Sequence, residues 1–449
     1  MMEIQKINVG LAVIARKFFD VAYLEGMLPA FRQALQGDHS SLHDGGVIFT
    51  PEEADGAAKF FAERGCDLLV VVFGTFADAG PAMTLAQAVD MPLVLWAPAE
   101  PLSETGRLRL NSFCGANLAG NALVGVDRPF RFVYGSPDDP RAVRELQLRI
   151  RVAAVAKTLR QARIGLFGVR PDGYYACNFD EMELRRVVGA QMEYFSIPQL
   201  RARAEQTSPE AKEGFVSKLK ARTVGMEKLD PQQVDDTAAA YAGVRSLVEE
   251  RKLSAVAVRC WPEFFVDYGH AVCGAVGQLT DDGIMAGCEA DVNGAVTMMA
   301  QHLLTGEPAF IADVVAIDEE QNSWILWHCG GQPVSLASPQ QPAEAAYQPN
   351  RRLALAIWFG ARPGPVTVAR LSYQRGRYRM LVMKGEVLDQ PPRYSMGASA
   401  MVRLEGDAVA AAKQLVEMGF EHHVVMSYGD VSGEMAVLAE TWGIEVVRL

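Results

Sequence analysis

The chain has 449 residues, with 43 Lys+Arg against 54 Asp+Glu for a formal charge of −11, and it is 49% hydrophobic and 22% charged. At roughly 100–200 residues per domain this allows two to four folded domains, and the composition is that of a globular rather than a disordered chain. The acidic balance, with no Lys/Arg cluster interleaved with aromatics, argues against nucleic-acid binding, and no apolar run approaches the roughly 20 residues that span a bilayer. Seven cysteines without a CxxC pair read as free thiols in a reducing compartment. The opening segment reads as a first strand rather than a signal peptide, so the cytoplasm is the expected location.

The first third alternates strand and helix. Ile7–Ala15 is a short apolar run, followed by helical stretches at 18–35 and 51–64. Asp67–Gly74 (DLLVVVFG) is a continuous apolar strand, as in a parallel sheet covered on both faces. A helix at 83–89 and a strand at 92–96 follow, then a long helix over 140–160. Strand signals return at 163–169, 253–259, 284–288, 310–317 and 324–327, with charged helical sequence over 204–252. Residues 335–350 (SLASPQQPAEAAYQPN) read as a linker. Beyond it, Val366–Tyr373 and Arg377–Val382 alternate around Gln374–Arg375–Gly376, a β-hairpin, before a helix, the strand-like HHVVMS, a helix and a last strand. The expected fold is α/β: two Rossmann-like parallel-sheet α/β domains (1–160 and 161–345) followed by a β-rich C-terminal domain (346–449).

Four places could carry chemistry. Glu289, in GCEADVNGA, ends a strand just before a helix, on the rim where open α/β sheets bind ligands; helix capping by Asp291 or Asn293 is the plainer alternative. Asp313 lies inside the apolar strand AFIADVVAID, costly unless paired or cation-bound. His328 ends the strand WILWH and reads equally as a hydrogen-bonded core histidine. His422 and His423 are adjacent, so strand alternation sends at most one of them to a given site. By the same alternation Cys288 and Cys329 point away from their neighbours. Two carboxylates and a histidine suit Mn²⁺, with Mg²⁺ or Co²⁺ as alternatives.

Together GCEADVNGA, FIADVVAID, WHCGG, EHHVVMSYGD and the hairpin GPVTVARLSYQRGRYRMLVM resemble the L-fucose/L-arabinose isomerase family, in order and spacing over residues 284–449. The first 250 residues agree with it in α/β character. The resemblance implies a metal-dependent aldose–ketose isomerase, with Glu289, Asp313 and His423 as ligands and His328 binding metal or sugar. Glu289 and Asp313 would move the protons through an enediolate. Weaker sugar contacts are Arg16, Trp96, Asn111, Glu263 and Tyr428, and the expected assembly is a trimer or hexamer in which one subunit's first domain closes its neighbour's site. The substrate would be L-fucose, arabinose or a sulfonated hexose (sulfoquinovose), the last needing a cation at the sugar's far end, for which Arg16 and Arg259 are available. The rival is a non-catalytic sugar-binding or sensor protein. A nicotinamide dehydrogenase is disfavoured because no GxGxxG follows the first strand.

Overall fold

The computed structural model describes residues 3–103 and 106–449. The chain forms two compact units, Ile4–Lys157 and Thr158–Leu449.

In the first unit, β1 (Ile7–Ile14), β2 (Ser40–Ile48), β3 (Leu68–Phe73), β4 (Leu93–Ala97) and β5 (Arg131–Tyr134) form a parallel sheet in the order 2-1-3-4-5. Successive strand residues face opposite sides. Val9, Leu11, Val70, Val72, Val94 and Trp96 pack under Leu24, Phe31, Leu146 and Ile150 of the helices Val21–Ala34 and Pro140–Arg160. Ile14, Leu69, Val71, Phe73 and Leu95 pack under Ala58, Phe61, Leu85 and Leu123 of three helices on the other face. Two covered faces explain why β3 is apolar at every position. The reading of the sequence missed β2, because SSLHDGGVI is an edge strand bonded to β1 alone and needs no apolar run.

The second unit begins with β6 (Arg163–Phe167), β7 (Gln191–Phe195), β8 (Thr223–Val224), β9 (Ala255–Val258) and β10 (Met285–Cys288). Strands β10-β9-β6-β7, in that order, make a second parallel sheet. The remaining strands are β11 (Phe310–Asp318), β12 (Ser323–His328), β13 (Ala343–Ala346), β14 (Ala356–Gly360), β15 (Gly364–Gln374), β16 (Arg377–Val387), β17 (Ala398–Leu404), β18 (His423–Tyr428) and β19 (Glu445–Val447). Six of them close on themselves in the order β16-β15-β18-β11-β12-β17, with β17 returning to β16, as an antiparallel barrel. The hairpin forms where the alternation places it: Gln374 faces Arg377 across Arg375 and Gly376, both at positive φ, the two-residue turn that matches strand twist. Strands β11 and β12 therefore share a sheet with the C-terminal strands. The 335–350 segment is not a free linker: it contains β13, which bridges β8 and β14. Among the described residues, no helix is long and apolar enough to cross a membrane.

Candidate functional site

Three structural routes bring the candidate residues together in the second unit, where Glu289, Asp313 and His328 line a cavity of about 330 Å³. The first is barrel register. Asp313 on β11 pairs directly with His423 on β18, and cross-strand partners project on the same face. Asp313 also pairs with Trp327 on β12, which puts the end of that strand, His328, beside the same point.

The second route is the turn after β10. Glu289 and Ala290 both have left-handed backbone, at φ 56° and 59°. Non-glycine residues rarely adopt it, at a cost of order 1–3 kcal/mol each. The strained turn aims the Glu289 carboxylate at the histidines and lets Asp291 cap the helix Val292–Thr305 through the Gly294 N–H. The capping reading of GCEADVNGA holds for Asp291, and Glu289 is turned toward the histidines. That helix is fastened to the barrel by buried bonds. The Leu371 N–H donates to Thr297 Oγ1 (2.9 Å), the Tyr378 hydroxyl to Asn293 Oδ1 (3.1 Å), and Gln301 Nε2 to the Thr367 carbonyl (3.0 Å).

The third route is the sharp chain path before β18. His422 lies in a bend outside the strand, so alternation does not govern it, and the expectation that at most one of the pair faces the site is corrected. The two rings lie 4.1 Å apart, and His422 Nε2 is 3.0 Å from Glu289 Oε2. His423 Nε2 lies 3.7 Å from both Glu289 Oε2 and Asp313 Oδ1, and His422 Nε2 is 3.9 Å from that same Asp313 oxygen. Cys177, Glu289, His422 and His423 place one ligand atom each within 4.8 Å of one another.

The donor set fits a divalent cation. His423 Nδ1 donates to Asp291 Oδ2 (2.9 Å), which leaves the Nε2 lone pair facing the carboxylates, the arrangement that orients metal-ligating histidines. His328 is the reverse case. Its Nδ1 accepts the Cys329 N–H (3.0 Å), so its proton sits on Nε2, with no lone pair there for a cation. Burial pushes the Cys177 thiol far up, and it turns its S–H toward Glu289 (4.0 Å), as a neutral weak donor. Burial also pushes the Glu289 carboxyl upward. The His422 bond and the Trp261 Nε1–H (3.1 Å) help to outweigh it and hold Glu289 below the ordinary carboxylate value. Tyr174 packs its ring edge against both Trp261 and His422.

Reading the sequence alone missed His422, Cys177, Trp261 and Tyr174. It also sent Cys288 and Cys329 away from the site, yet both line the cavity. Glu289 and Cys329 lie just beyond strand ends, where the period of two no longer applies.

The weaker sugar contacts divide. Trp96 is corrected: it is fully buried, its indole N–H donates to the Gly135 carbonyl (2.8 Å), and it packs on Phe31. Trp96→Phe is expected to leave kcat and KM within about twofold while lowering the unfolding free energy by about 2 kcal/mol, read from denaturant titration. A sugar platform would instead show a raised KM. Tyr428 is also corrected. It ends β18 about 17 Å along the strand from His423, and its hydroxyl donates to the Arg362 carbonyl. Glu263 is tied to Arg259 (2.8 Å), whose guanidinium also holds the Val169 and Arg170 carbonyls; the CWPEFF segment reaches Glu289 through Trp261 instead. In the first unit, Arg16 is half-exposed and pairs with Asp78 (2.5 Å), and Asn111 starts a helix with its N–H on Glu100 (2.6 Å).

Residues 10–160 match the model of the fucose/sulfoquinovose isomerase N-terminal domain, and 334–449 that of the L-fucose isomerase C-terminal domain. A sulfoquinovose isomerase of Priestia aryabhattai is 32% identical over 443 residues, covering 98% of this chain and 99% of its own. One of Alkalicoccus urumqiensis is 30% identical over 437 residues, covering 97% and 98%. One of Clostridium sp. (strain MSTE9) is 32% identical over 390 residues, covering 86% and 87%. Likeness over nearly the full length, with the carboxylate–histidine cluster at the barrel rim, leaves no room for a non-catalytic sensor: the chain belongs to the fucose isomerase family and is an enzyme that interconverts aldoses and ketoses.

Proposed function

We propose that the enzyme isomerises a sulfonated hexose, sulfoquinovose, to its ketose, with a divalent cation held by Glu289, Asp313, His422 and His423. The observation that carries this is the barrel register that sets Asp313 opposite His423, with Glu289 facing both. A bound divalent cation, Mn²⁺ in the family reading, would draw charge from the two vicinal sugar oxygens and stabilise an enediolate. Glu289 and Asp313 act as a proton-handling pair, moving one proton between C1 and C2 and another between their oxygens. Glu289 is fitted to this because its neighbours keep it ionised. Of the two roles expected of His328, metal or sugar, the proposal takes the second: it offers an Nε2–H to a sugar hydroxyl. Arg16 and Asn111 belong to the part of this proposal in which a trimer or hexamer lays a neighbour's first domain over the cavity.

Chelator-stripped protein is expected to lose at least about 99% of its sulfoquinovose turnover, with Mn²⁺ restoring it. Ketose appearance is the readout, and L-fucose and arabinose serve as comparison substrates. Full turnover by protein shown metal-free by elemental analysis would defeat the cation assignment. Turnover of L-fucose or arabinose but not of sulfoquinovose would defeat the substrate.

A further inference from the structure

We propose that Arg351 is the residue that reads the anionic end of the substrate, holding the C6 sulfonate while C1 and C2 sit at the carboxylates. The inference rests on the sulfonated-hexose reading above. Among the described residues lining the cavity, Arg351 is the one Arg or Lys. Both cations considered from the sequence are engaged elsewhere: Arg259 with Glu263 and two carbonyls, Arg16 with Asp78.

The cavity has two ends. Its floor holds Glu289 and His328, largely or fully buried, while Arg351 is exposed and so stands at the rim. A hexose bound through its first two carbons at the floor extends its sixth toward that rim. The approach also needs a cation: an anionic sugar entering over Glu289 and Asp313 is repelled unless positive charge meets its far end.

Arg351 is held at the rim by a built turn. Gln348 is buried and lines the same cavity. Its Oε1 accepts the N–H groups of Asn350 (2.9 Å) and Arg351 (2.6 Å), and its backbone carbonyl accepts the Arg352 N–H (2.8 Å). The backbone of Arg351 is thereby fixed, and among the described residues its guanidinium is in no ion pair. A planar fork of N–H donors matches two oxygens of a sulfonate at once, which a lysine ammonium does not.

The test is steady-state kinetics of Arg351→Gln and Arg351→Lys on sulfoquinovose, with the inhibition constant of 6-deoxyglucose, the same sugar without its sulfonate, measured against that turnover. Arg351→Gln is expected to raise KM for sulfoquinovose about 30- to 100-fold with kcat within about threefold. The 6-deoxyglucose inhibition constant should stay within about twofold, and Arg351→Lys should fall between wild type and Arg351→Gln. An unchanged KM overturns the assignment, and so does an equal loss for sulfonated and neutral sugars, which marks a structural role. If wild-type enzyme converts neutral sugars but not sulfoquinovose, the substrate reading fails and this inference with it, an outcome distinct from a failure of Arg351 alone.

Discussion

Glu289→Gln is expected to lower kcat about a thousandfold to ten-thousandfold while the protein stays folded. The substitution keeps the side chain's shape, and the amide oxygen still accepts the Trp261 indole N–H, 3.1 Å from the native carboxylate. What is lost is a negative charge and a base. An amide does not take a proton from carbon, and it places N–H groups against His422 Nε2, which lies 3.0 Å from the native Oε2. Stability should fall modestly, because the neighbours that hold Glu289 below the ordinary carboxylate value favour its charge, while the isosteric amide keeps the Trp261 bond. The measurement pairs kcat at saturating Mn²⁺ with bound-metal content and melting temperature. Near-normal kcat at full metal occupancy would remove Glu289 from proton transfer. Normal kcat reached only at higher Mn²⁺ would leave it a ligand and nothing more.

The strongest parts of the reading from sequence rest on signals that one residue carries locally. Asp313 stood out because a charge inside an apolar strand needs an explanation, and register with His423 supplies it. The hairpin was visible because Arg375–Gly376 suits a turn with two positive φ angles. The failures occur where a periodic rule was carried past the end of its element. His422, Glu289 and Cys329 all sit one residue outside a strand, where backbone direction is set by turns. Trp261 and Tyr174 arrive from loops and Cys177 from a short 3-10 turn, Tyr175–Cys177, and nothing in their local sequence points to a residue on another element. The 335–350 segment looked like a linker because Pro and Gln dominate it, yet its end supplies Gln348 and Asn350 to the cavity wall. Arg370 was overlooked for a different reason: an Arg in an alternating strand reads as solvent-facing. Here the strand meets a helix N-terminus whose capping carboxylate, Asp291, pairs with the arginine.

Arg370→Met is expected to cost about 3–5 kcal/mol at neutral pH. Arg370 and Asp291 have side-chain exposures of 0% and 1%, and their contact is a fork of two bonds, 2.5 and 3.0 Å. Methionine fills most of the volume but leaves the buried carboxylates of Asp291 and Glu421, the latter 3.5 Å from Arg370, without the guanidinium. Burial pushes the Asp291 carboxyl upward; in the native protein the Arg370 charge and the His423 bond outweigh it and hold it well below the ordinary value. That depressed value gives stability present above the unfolded-state value of about 3.9 and lost as pH falls through the folded one. In the variant the sign reverses: uncompensated burial raises the folded value above the unfolded one, so stability falls as pH rises between them. The gap in denaturation midpoint between wild type and Arg370→Met should therefore be widest near pH 7 and narrow toward pH 4.5. A gap independent of pH would assign the cost to packing rather than to a stranded charge. The double variant Arg370→Met with Asp291→Asn should recover part of the lost stability, because the Asp291 charge is gone while Glu421, 3.5 Å from the native Arg370, stays buried without its partner. It should not recover turnover to the same degree: Asp291 is also the acceptor that keeps the His423 proton on Nδ1, 2.9 Å away, and thereby keeps Nε2 open toward Glu289 and Asp313.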